Sequence, residues 1–263
     1  MGQLIFIGLG LYDEKDISVK GKELVKGADV VYSEFYTSSL AGADVEDVER
    51  ELGVEVVELT RGEVEQEAVP IKDAKKKDVV FLTAGDPMAA TTHVDLRLRA
   101  VEEGIDTKIV HSSSIFSAAP SLLGVQHYKF GKTITLPFKS DRKYPKSPYE
   151  GIKKNKENGL HSLVLLDINS EEGEYMSVNE GVEALIDIEK EEEGGVVDDD
   201  SLIAGLARVG SGEPVVKAGY PQDLIGEDFG GGLHCLVVFG ELHFMEIDSL
   251  VAFAGAPEEI KEE

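Results

Sequence analysis

Cysteine is nearly absent from this chain of 263 residues, because Cys235 is the only one. A single thiol excludes internal disulfide bonds and metal sites that need several cysteines. Long apolar runs are missing too. A membrane-spanning helix needs about 18 consecutive apolar residues, and no stretch of the chain is that long. The apolar N-terminal segment lacks a basic flank and is interrupted by Gly8, so it predicts a strand and not a signal peptide. We therefore expect a cytoplasmic, soluble protein.

Positive charge is also scarce, with 26 basic against 51 acidic residues and a formal net charge of −25. A surface of this sign repels nucleic acid, so we expect no direct nucleic-acid binding over most of it. Self-repulsion weakens a compact state unless counter-ions relieve it. We therefore expect a host with a salty cytoplasm, as in a halophilic organism. The hydrophobic content of 42% is ample for a buried core.

The basic residues are concentrated in one segment, residues 129–156, which we call the basic island. Its basic members are Lys129, Lys132, Lys139, Arg142, Lys143, Lys146, Lys153, Lys154 and Lys156, and its acidic members are Asp141 and Glu150. Two interpretations stay open. The island is a docking surface for an acidic partner or an RNA-associated assembly, or it is an exposed loop and helix with ordinary solvated lysines.

Short apolar runs alternate with helical segments of about 10 residues over the first part of the chain, which indicates a parallel, doubly wound sheet. The predicted strands are 3–7, 30–32, 54–59, 79–82 and 108–110, and the predicted helices are 17–26, 45–52, 64–77 and one that ends at 103. From Ser112 a polar hinge enters a helix of small residues. We therefore predict an N-terminal α/β domain over 1–111 and a C-terminal α/β domain with a mixed sheet over 112–263.

A cleft between two such domains is a favoured place for a small-molecule site. The strongest candidate for a ligand loop follows the predicted strand 79–82, where Gly85 and Pro87 bracket Asp86. Glycine permits a tight bend and proline restricts its own φ and the residue before it. Thr91 or Thr92 can cap the helix that follows. Open α/β sheets bind ligands where strands end, although Asp86 could also form only an Asx-turn.

A second glycine-containing turn, with Gly8 and Gly10, follows the first predicted strand. A dinucleotide fingerprint needs a third glycine where Asp13 stands, so that motif fails. A phosphate-binding loop is excluded as well. Six residues separate Gly124 from Gly131, where the motif has four, and the chain continues as a strand and not as a helix.

Histidine and aspartate form no recognisable metal site in the sequence. The six histidines are scattered and make no metal-binding or triad pattern. Three aspartates at 198–200 indicate a solvated turn. His234 begins a predicted strand directly after three glycines, where it could contact a ligand or cap the sheet, and the sequence favours neither.

Several motifs occur together in a characteristic order and spacing. They are Gly8-Leu-Gly-Leu-Tyr-Asp-Glu-Lys-Asp-Ile-Ser, Ser33-Glu-Phe-Tyr-Thr-Ser, Thr83-Ala-Gly-Asp-Pro, Ala90-Thr-Thr-His, Ser114-Ile, Tyr128-Lys-Phe-Gly-Lys, Gly159-Leu-His, Leu206-Ala-Arg and Glu227-Asp-Phe-Gly. In these motifs the chain resembles the archaeal diphthine synthases over nearly its whole length. That family is similar in fold to the tetrapyrrole methylases, with two α/β domains and a cleft between them. One departure is Ala84, where the family usually has proline.

The resemblance implies a homodimeric methyltransferase that uses S-adenosylmethionine. Its implied substrate is translation elongation factor two, in which the amino group of a 3-amino-3-carboxypropyl-modified histidine is successively N-methylated in diphthamide biosynthesis. The cofactor contacts of the family fall on Leu11, Asp86, Ala89, Ser114, Ile115, Leu166, Val209 and His234. The resemblance assigns neither a catalytic base nor a metal, and a free amine of low pKa needs no base.

Two other functions stay open at this stage. A tetrapyrrole C-methyltransferase on the same fold would act on a porphyrinoid, although the basic island and the full-length resemblance favour a protein substrate. A non-catalytic sensor would bind S-adenosylmethionine or a nucleotide in the same cleft and transfer no methyl group.

Overall fold

A parallel sheet of five strands forms the centre of the N-terminal part of the protein. In the computed structural model, which describes residues 2–140, 143–170 and 172–262, this part is a unit of its own, Met1–Ile115. The strands are β1 (Gln3–Gly8), β2 (Val30–Glu34), β3 (Val57–Glu58), β4 (Asp78–Thr83) and β5 (Asp106–Val110). Their order is β3-β2-β4-β1-β5, and every neighbouring pair is parallel. The predicted parallel α/β fold is confirmed.

The helices of this first unit begin and end at residues that the sequence marks. They are α1 (Val19–Val25), α2 (Val45–Leu52), α3 (Val69–Ala74) and α4 (His93–Glu102), with a π-helical turn at Gly62–Gln66. Asp44 caps α2 through a reciprocal pair of hydrogen bonds with Asp47, and Gly53 ends it in a left-handed conformation. At the start of α4 the hydroxyl of Thr91 accepts a hydrogen bond from the N–H of His93, whereas the Thr92 side chain caps nothing.

Two elements of the first unit differ from the predictions, which were wrong there. The expected strand 54–59 pairs over only two residues, because it lies at the sheet edge and both paired side chains are exposed. The expected helix 64–77 is split. Ala68 adopts a left-handed conformation with φ +52°, and Pro70, which cannot donate an internal hydrogen bond, lies in the first turn of α3.

Both faces of the first sheet are covered by apolar side chains. On one face Phe6 and Phe81 pack edge to face with their centroids 6.0 Å apart. On the other face Ile5, Ile7 and Val80 pack beneath residues of α1 and α2. This burial on both faces explains why the sequences of β1 and β4 are continuous apolar runs and do not alternate between apolar and polar residues.

The second unit, Phe116–Glu263, contains a mixed sheet. Its strands are β6 (Ile134–Leu136), β7 (Ser162–Leu166), β10 (Ile203–Ala207), β11 (Val215–Gly219) and β12 (His234–Val238), and a separate two-stranded ribbon joins β8 (Ile168–Asn169) to β9 (Glu174–Tyr175). The order is β11-β10-β12-β7-β6, in which only β6 and β7 pair in parallel. The predicted mixed sheet is confirmed.

The helices of this part of the chain are α5 (Ile115–Leu123), α6 (Ser147–Glu157), α7 (Val178–Glu192), α8 (Pro221–Gly226) and α9 (Phe244–Ala254), with short 3₁₀ turns at His127–Lys129 and Glu258–Lys261. Ser177 caps α7 through a reciprocal pair of hydrogen bonds with Glu180. On β12 the thiol of Cys235 is buried, and burial raises its pKa to about 12. No helix among the described residues is long and apolar enough to cross a membrane.

The two units divide between Ile115 and Phe116. The sequence placed this division between residues 111 and 112, at the start of the run of serines. In the structure β5 ends at Val110, residues 111–114 have no regular secondary structure, and α5 begins at Ile115.

Candidate functional site

The two glycine-containing turns of the first unit pair with each other beyond the ends of β1 and β4. The N–H of Gly10 donates to the carbonyl of Gly85 at 3.3 Å, and the N–H of Gly85 donates to the carbonyl of Gly10 at 2.6 Å. Both residues have positive φ, +92° and +70°. The structure therefore joins the loop that carries Leu11 to the loop that carries Asp86.

An acidic side chain holds the first of these turns in place. The Oδ2 atom of Asp16 accepts hydrogen bonds from the N–H groups of Leu11, at 3.1 Å, and Tyr12, at 2.8 Å. Asp16 directly precedes the predicted helix 17–26, but it does not cap that helix, because the side chain of Ser18 takes the capping position of α1. An aspartate a few residues after a Gly-x-Gly turn is the signal that could have identified this anchor.

The carboxylate of Asp86 is largely buried, with 13% of its side chain exposed, and is already hydrogen-bonded. Its Oδ1 atom accepts from the N–H of Met88 at 3.1 Å, which is the Asx-turn that the sequence left open. Its Oδ2 atom lies 2.8 Å from Nδ1 of His111 and accepts from the N–H of Ser112 at 3.3 Å. Asp86 therefore links the loop after β4 to the end of β5.

Five of the predicted cofactor contacts lie in the first unit, in segments that follow neighbouring strands. Leu11 follows β1, Asp86 and Ala89 follow β4, and Ser114 and Ile115 follow β5. Since β4, β1 and β5 are adjacent and parallel, their carboxyl ends lie at one edge of the sheet. The structure brings these five residues to the sheet edge at which parallel α/β folds bind ligands. Their contact with a cofactor stays a prediction.

The three remaining contacts also share one edge, that of the second sheet. Leu166 is the last residue of β7, His234 is the first of β12, and Val209 follows the end of β10. Ala207 pairs with His234, and Cys235 pairs with Leu165, so β12 begins where both antiparallel neighbours end. Leu166 and Val209 are both buried, at 8% exposure.

His234 presents a polar atom without a partner. Its Nδ1 atom accepts a hydrogen bond from the N–H of Val178 at 3.1 Å, so it caps the start of α7. Burial lowers the pKa of His234, while the carbonyls of Gly230 and Gly231 act in the opposite direction. A neutral ring whose Nδ1 accepts must carry its proton on Nε2. The carbonyls of Gly230 and Gly231 lie near this buried Nε2–H, but neither forms a well-aligned hydrogen bond with it, so it fits a ligand acceptor.

The glycine segment before His234 is held by an arginine that the sequence interpretation did not assign. Arg208 adopts φ +50°, and its guanidinium donates to the carbonyls of Phe229, at 2.9 Å, and Gly231, at 3.4 Å. A non-glycine residue in this left-handed region is strained, and such strain is common near functional sites. Only its place in the Leu206-Ala-Arg motif could have indicated it.

The basic island is partly neutralised by acidic side chains of the same unit. Lys139 lies 3.1 Å from Asp187, Lys146 pairs with Glu192, and Lys129 contacts the buried Glu246 at 2.8 Å. A groove of about 180 Å³ beside it is therefore lined by both signs of charge. Arg142 and Asp141 lie outside the described residues. The docking interpretation of the island stays a prediction.

Within the ranges 2–140, 143–170 and 172–262, no group of three or more His, Cys, Asp or Glu could hold a metal ion.

Residues 3–211 match the family of Tetrapyrrole (Corrin/Porphyrin) Methylases. The chain is 49% identical over 259 residues to "Diphthine synthase" of Methanothermobacter thermautotrophicus, covering 98% of both chains. It is 50% identical over 264 residues to "Diphthine synthase" of Methanosarcina mazei, again over 98% of both. A crystal structure of diphthine synthase superposes with a TM-score of 0.91 at 42% identity, and the match covers 99% of each chain.

Proposed function

Because the chain belongs to the diphthine synthase family of tetrapyrrole methylases and is a methyltransferase of diphthamide biosynthesis, we propose that it uses S-adenosylmethionine to methylate a protein. The substrate that we propose is translation elongation factor two with a 3-amino-3-carboxypropyl-modified histidine. Successive N-methylations would convert the amino group of that side chain to a trimethylammonium. The observation that carries the proposal is the identity of 46–50% to relatives named diphthine synthase, over nearly all of each chain.

One feature at each sheet edge, taken by itself, supports the proposed cofactor. The space beside Gly10 is taken by the side chain of Asp16, but no atom lies within 4 Å of the place where a side chain at Gly85 would begin, so that a ligand can approach the backbone there. At the second edge the Nε2–H of His234 has no well-aligned acceptor among the described residues. A buried donor without a partner costs free energy, and a bound ligand that accepts its hydrogen bond recovers it.

When bound, S-adenosylmethionine supplies an activated methyl group on a sulfonium, which already contains the leaving group. The chain therefore contributes positioning and exclusion of water more than covalent chemistry. In our proposal Asp86 orients a polar part of the cofactor, while Leu11, Ala89, Leu166 and Val209 pack against its apolar parts. The Nε2–H of His234 and main-chain groups at Ser114 and Ile115 fix its direction. The acceptor amine attacks as the neutral base, and we assign no residue to remove its proton.

Methyl transfer to the modified factor tests this proposal directly. The protein is incubated with methyl-labelled S-adenosylmethionine and elongation factor two that carries the carboxypropyl-modified histidine, and the intact factor is then weighed by mass spectrometry. We expect mass increments of whole methyl groups on the modified factor and none on a factor whose histidine is unmodified. If the cofactor binds but neither the modified nor the unmodified factor acquires label, the proposed substrate is wrong.

The matched family is named for the methylation of tetrapyrroles, so the alternative substrate is a porphyrinoid that would be methylated on carbon. The same labelled donor, offered with a porphyrinoid in place of the factor, separates the two. Label in the porphyrinoid and not in the factor would favour the alternative. A homodimeric state and a cytoplasmic location stay predictions from the sequence.

A further inference from the structure

A cluster of polar side chains is buried in the first unit behind the loop that carries Asp86. Glu34 ends β2, Thr83 ends β4, and His93 begins α4, and the side chains of all three are fully buried. Glu34 and Thr83 are partners across the sheet. Among the described residues, Oγ1 of Thr83 and Nε2 of His93 are buried without a hydrogen-bond partner. Protein cores rarely keep unpaired polar atoms close together without a reason.

The imidazole of His93 lies between two groups that both accept protons. Its Nδ1 atom is 3.2 Å from the carbonyl oxygen of Pro87, which lies in the loop between Asp86 and Ala89. Its Nε2 atom is 3.3 Å from Oε1 of Glu34, without the alignment of a formed hydrogen bond. A carbonyl oxygen can only accept, so the contact with Pro87 needs a proton on Nδ1. In a neutral ring Nε2 is then a second acceptor that faces the carboxyl group.

Two acceptors can remain at this distance only if one proton is shared between them. This proton can lie on either partner. Glu34 is then protonated beside a neutral imidazole, or its carboxylate faces an imidazolium. If the pair loses this proton, one contact of His93 must fail. The ring either keeps its proton on Nδ1 and faces a bare carboxylate, or moves it to Nε2 and loses the carbonyl of Pro87.

The surroundings of the pair make the protonated acid the stable form. Burial raises the pKa of Glu34 to about 7, although the N–H and hydroxyl of Thr37 donate to its carboxyl oxygens and the charge of Arg61 opposes the rise. Burial lowers the pKa of His93, although the hydrogen bond to the carbonyl of Pro87 and the charge of Glu65 both act to raise it. Arg61 itself lies over the ring of Tyr36, 5.1 Å from its centroid. From β4 the uncharged ring of Phe81 packs edge to face on His93, with the ring centroids 5.1 Å apart.

We propose that Glu34 and His93 are positioning residues that hold the 85–89 loop in its ligand-binding shape through a proton shared between them. The inference rests on the proposed function, because its ligand is the methyl donor. Neither side chain needs to touch the donor. With the proton in place, His93 anchors the carbonyl of Pro87 and therefore the backbone on both sides of it, where the predicted contacts Asp86 and Ala89 lie. Without the proton the anchor fails and the donor binds more weakly.

Calorimetric titration of S-adenosylmethionine into the wild-type protein and into Glu34→Gln, between about pH 6 and about pH 8.5, tests the inference. Glutamine mimics the protonated form of Glu34, because it is uncharged and its amide can donate a hydrogen bond to Nε2 of His93 at every pH. We expect the affinity of the wild-type protein to fall about tenfold across this range, as one-proton linkage allows, and the affinity of Glu34→Gln to change much less. Glu102→Gln, an exposed change at the end of α4, is the matched control and should behave as wild type.

The comparison between variants is essential because the amino group of the donor, like other α-amino groups, also titrates at about pH 8. That titration is common to all three proteins, so only the difference between them reports on the pair. His93→Ala should bind weakly at every pH, while its thermal melting shows whether it folds. Glu34→Gln remains informative even if His93→Ala does not fold.

Each result separates this inference from the proposed function. If the wild-type protein binds no S-adenosylmethionine at any pH, the proposed function is wrong. If it binds, and Glu34→Gln shows the same dependence on pH as wild type, the shared proton is wrong while the proposed function stands. A steep profile in wild type and a flatter one in Glu34→Gln supports both. Titrations in two buffers of different ionisation enthalpy should show that wild type takes up more protons on binding than Glu34→Gln near pH 8.

Discussion

The carboxylate of Asp86 and the imidazole of His111 lie 2.8 Å apart, and they join the loop after β4 to the end of β5 across the strand between them. The two side chains differ in exposure, since 71% of His111 is accessible and only 13% of Asp86. An enclosed carboxylate at the carboxyl edge of a parallel sheet is therefore fixed from three directions, by His111, Ser112 and Met88. Such fixed groups are what a binding site needs if little is to be reorganised when its ligand arrives.

Replacement of Asp86 by alanine should weaken the binding of S-adenosylmethionine at least about tenfold, or about 1.4 kcal/mol. The change removes the proposed polar contact and the brace between two loops. Isothermal titration calorimetry measures the effect. Asp95→Ala, which removes an exposed carboxylate of α4, is the control and should bind as wild type. Unchanged affinity in Asp86→Ala would remove this residue from the site.

Replacement of His234 by asparagine should reduce affinity for the donor by about fivefold, the value of one hydrogen bond of about 1 kcal/mol. The asparagine oxygen can still accept from the N–H of Val178, so that α7 stays capped, but the Nε2–H is lost. Binding is compared by calorimetry, and melting curves confirm the fold. His127→Asn, at an exposed position, provides the control. Equal affinity in the two variants would argue that His234 only caps the helix.

Alanine at Gly10 should destabilise the protein more than alanine at Gly85. Both positions have positive φ, which costs an alanine about 1 kcal/mol. A side chain at Gly85 meets no atom within 4 Å, whereas at Gly10 it would lie 2.3 Å from Cβ of Asp16. We expect the melting temperature to fall by about 3 °C for Gly85→Ala and at least twice as far for Gly10→Ala. Equal shifts would mean that Asp16 moves aside without cost.

Acid should destabilise the second unit through Glu189. Burial alone would raise the pKa of this carboxyl, but hydrogen bonds from the N–H of Val197, the hydroxyl of Tyr149 and two further N–H groups outweigh it and lower the pKa to about 2. A lowered pKa means stability that is present above the unfolded value, about 4.5, and is lost as the pH falls towards 2. Denaturant unfolding should show this slope, and Glu189→Gln should reduce it. The exposed Glu191→Gln should leave it unchanged.

Salt should stabilise the protein strongly. With a net charge of −25, repulsion between surface carboxylates opposes the compact state, and added salt screens it as the Debye length falls from about 10 Å at 0.1 M to about 3 Å at 1 M. We expect the melting temperature in potassium chloride to rise steeply over this interval, as scanning fluorimetry can measure. Sucrose at matched osmolality is the control. A flat response to the salt would speak against adaptation to a salty cytoplasm.

The alternation of apolar runs with helical segments was enough to predict most of this fold. The helix at Val45–Leu52 was predicted with the bounds that the structure has, and the structure shows a capping aspartate before it and a glycine after it. The short strand β3 and the split helix could not be read from apolar content. Pairing at the edge of a sheet depends on tertiary contacts. The break in the helix had one local signal, Pro70, which lies inside the range 64–77 that was expected to be helical.

The candidate site was predictable only in part from local patterns. The loop around Asp86 follows from a glycine and a proline after an apolar run, but the remaining contacts came from the resemblance of the whole chain to a family. The pairing of Gly10 with Gly85, which are 75 residues apart, and the approach of His93 to Glu34 depend on the order of the strands. No spacing in the sequence encodes that order.

The enclosed thiol of Cys235 makes this protein convenient for site-specific labelling. Maleimides react with accessible thiolates, and a buried group whose pKa is raised to about 12 offers almost none at neutral pH. The native cysteine can therefore stay in place. A cysteine introduced at the exposed Tyr128, of which 76% is accessible, could carry a single fluorophore and report by energy transfer on the arrival of a labelled elongation factor, the substrate that we propose.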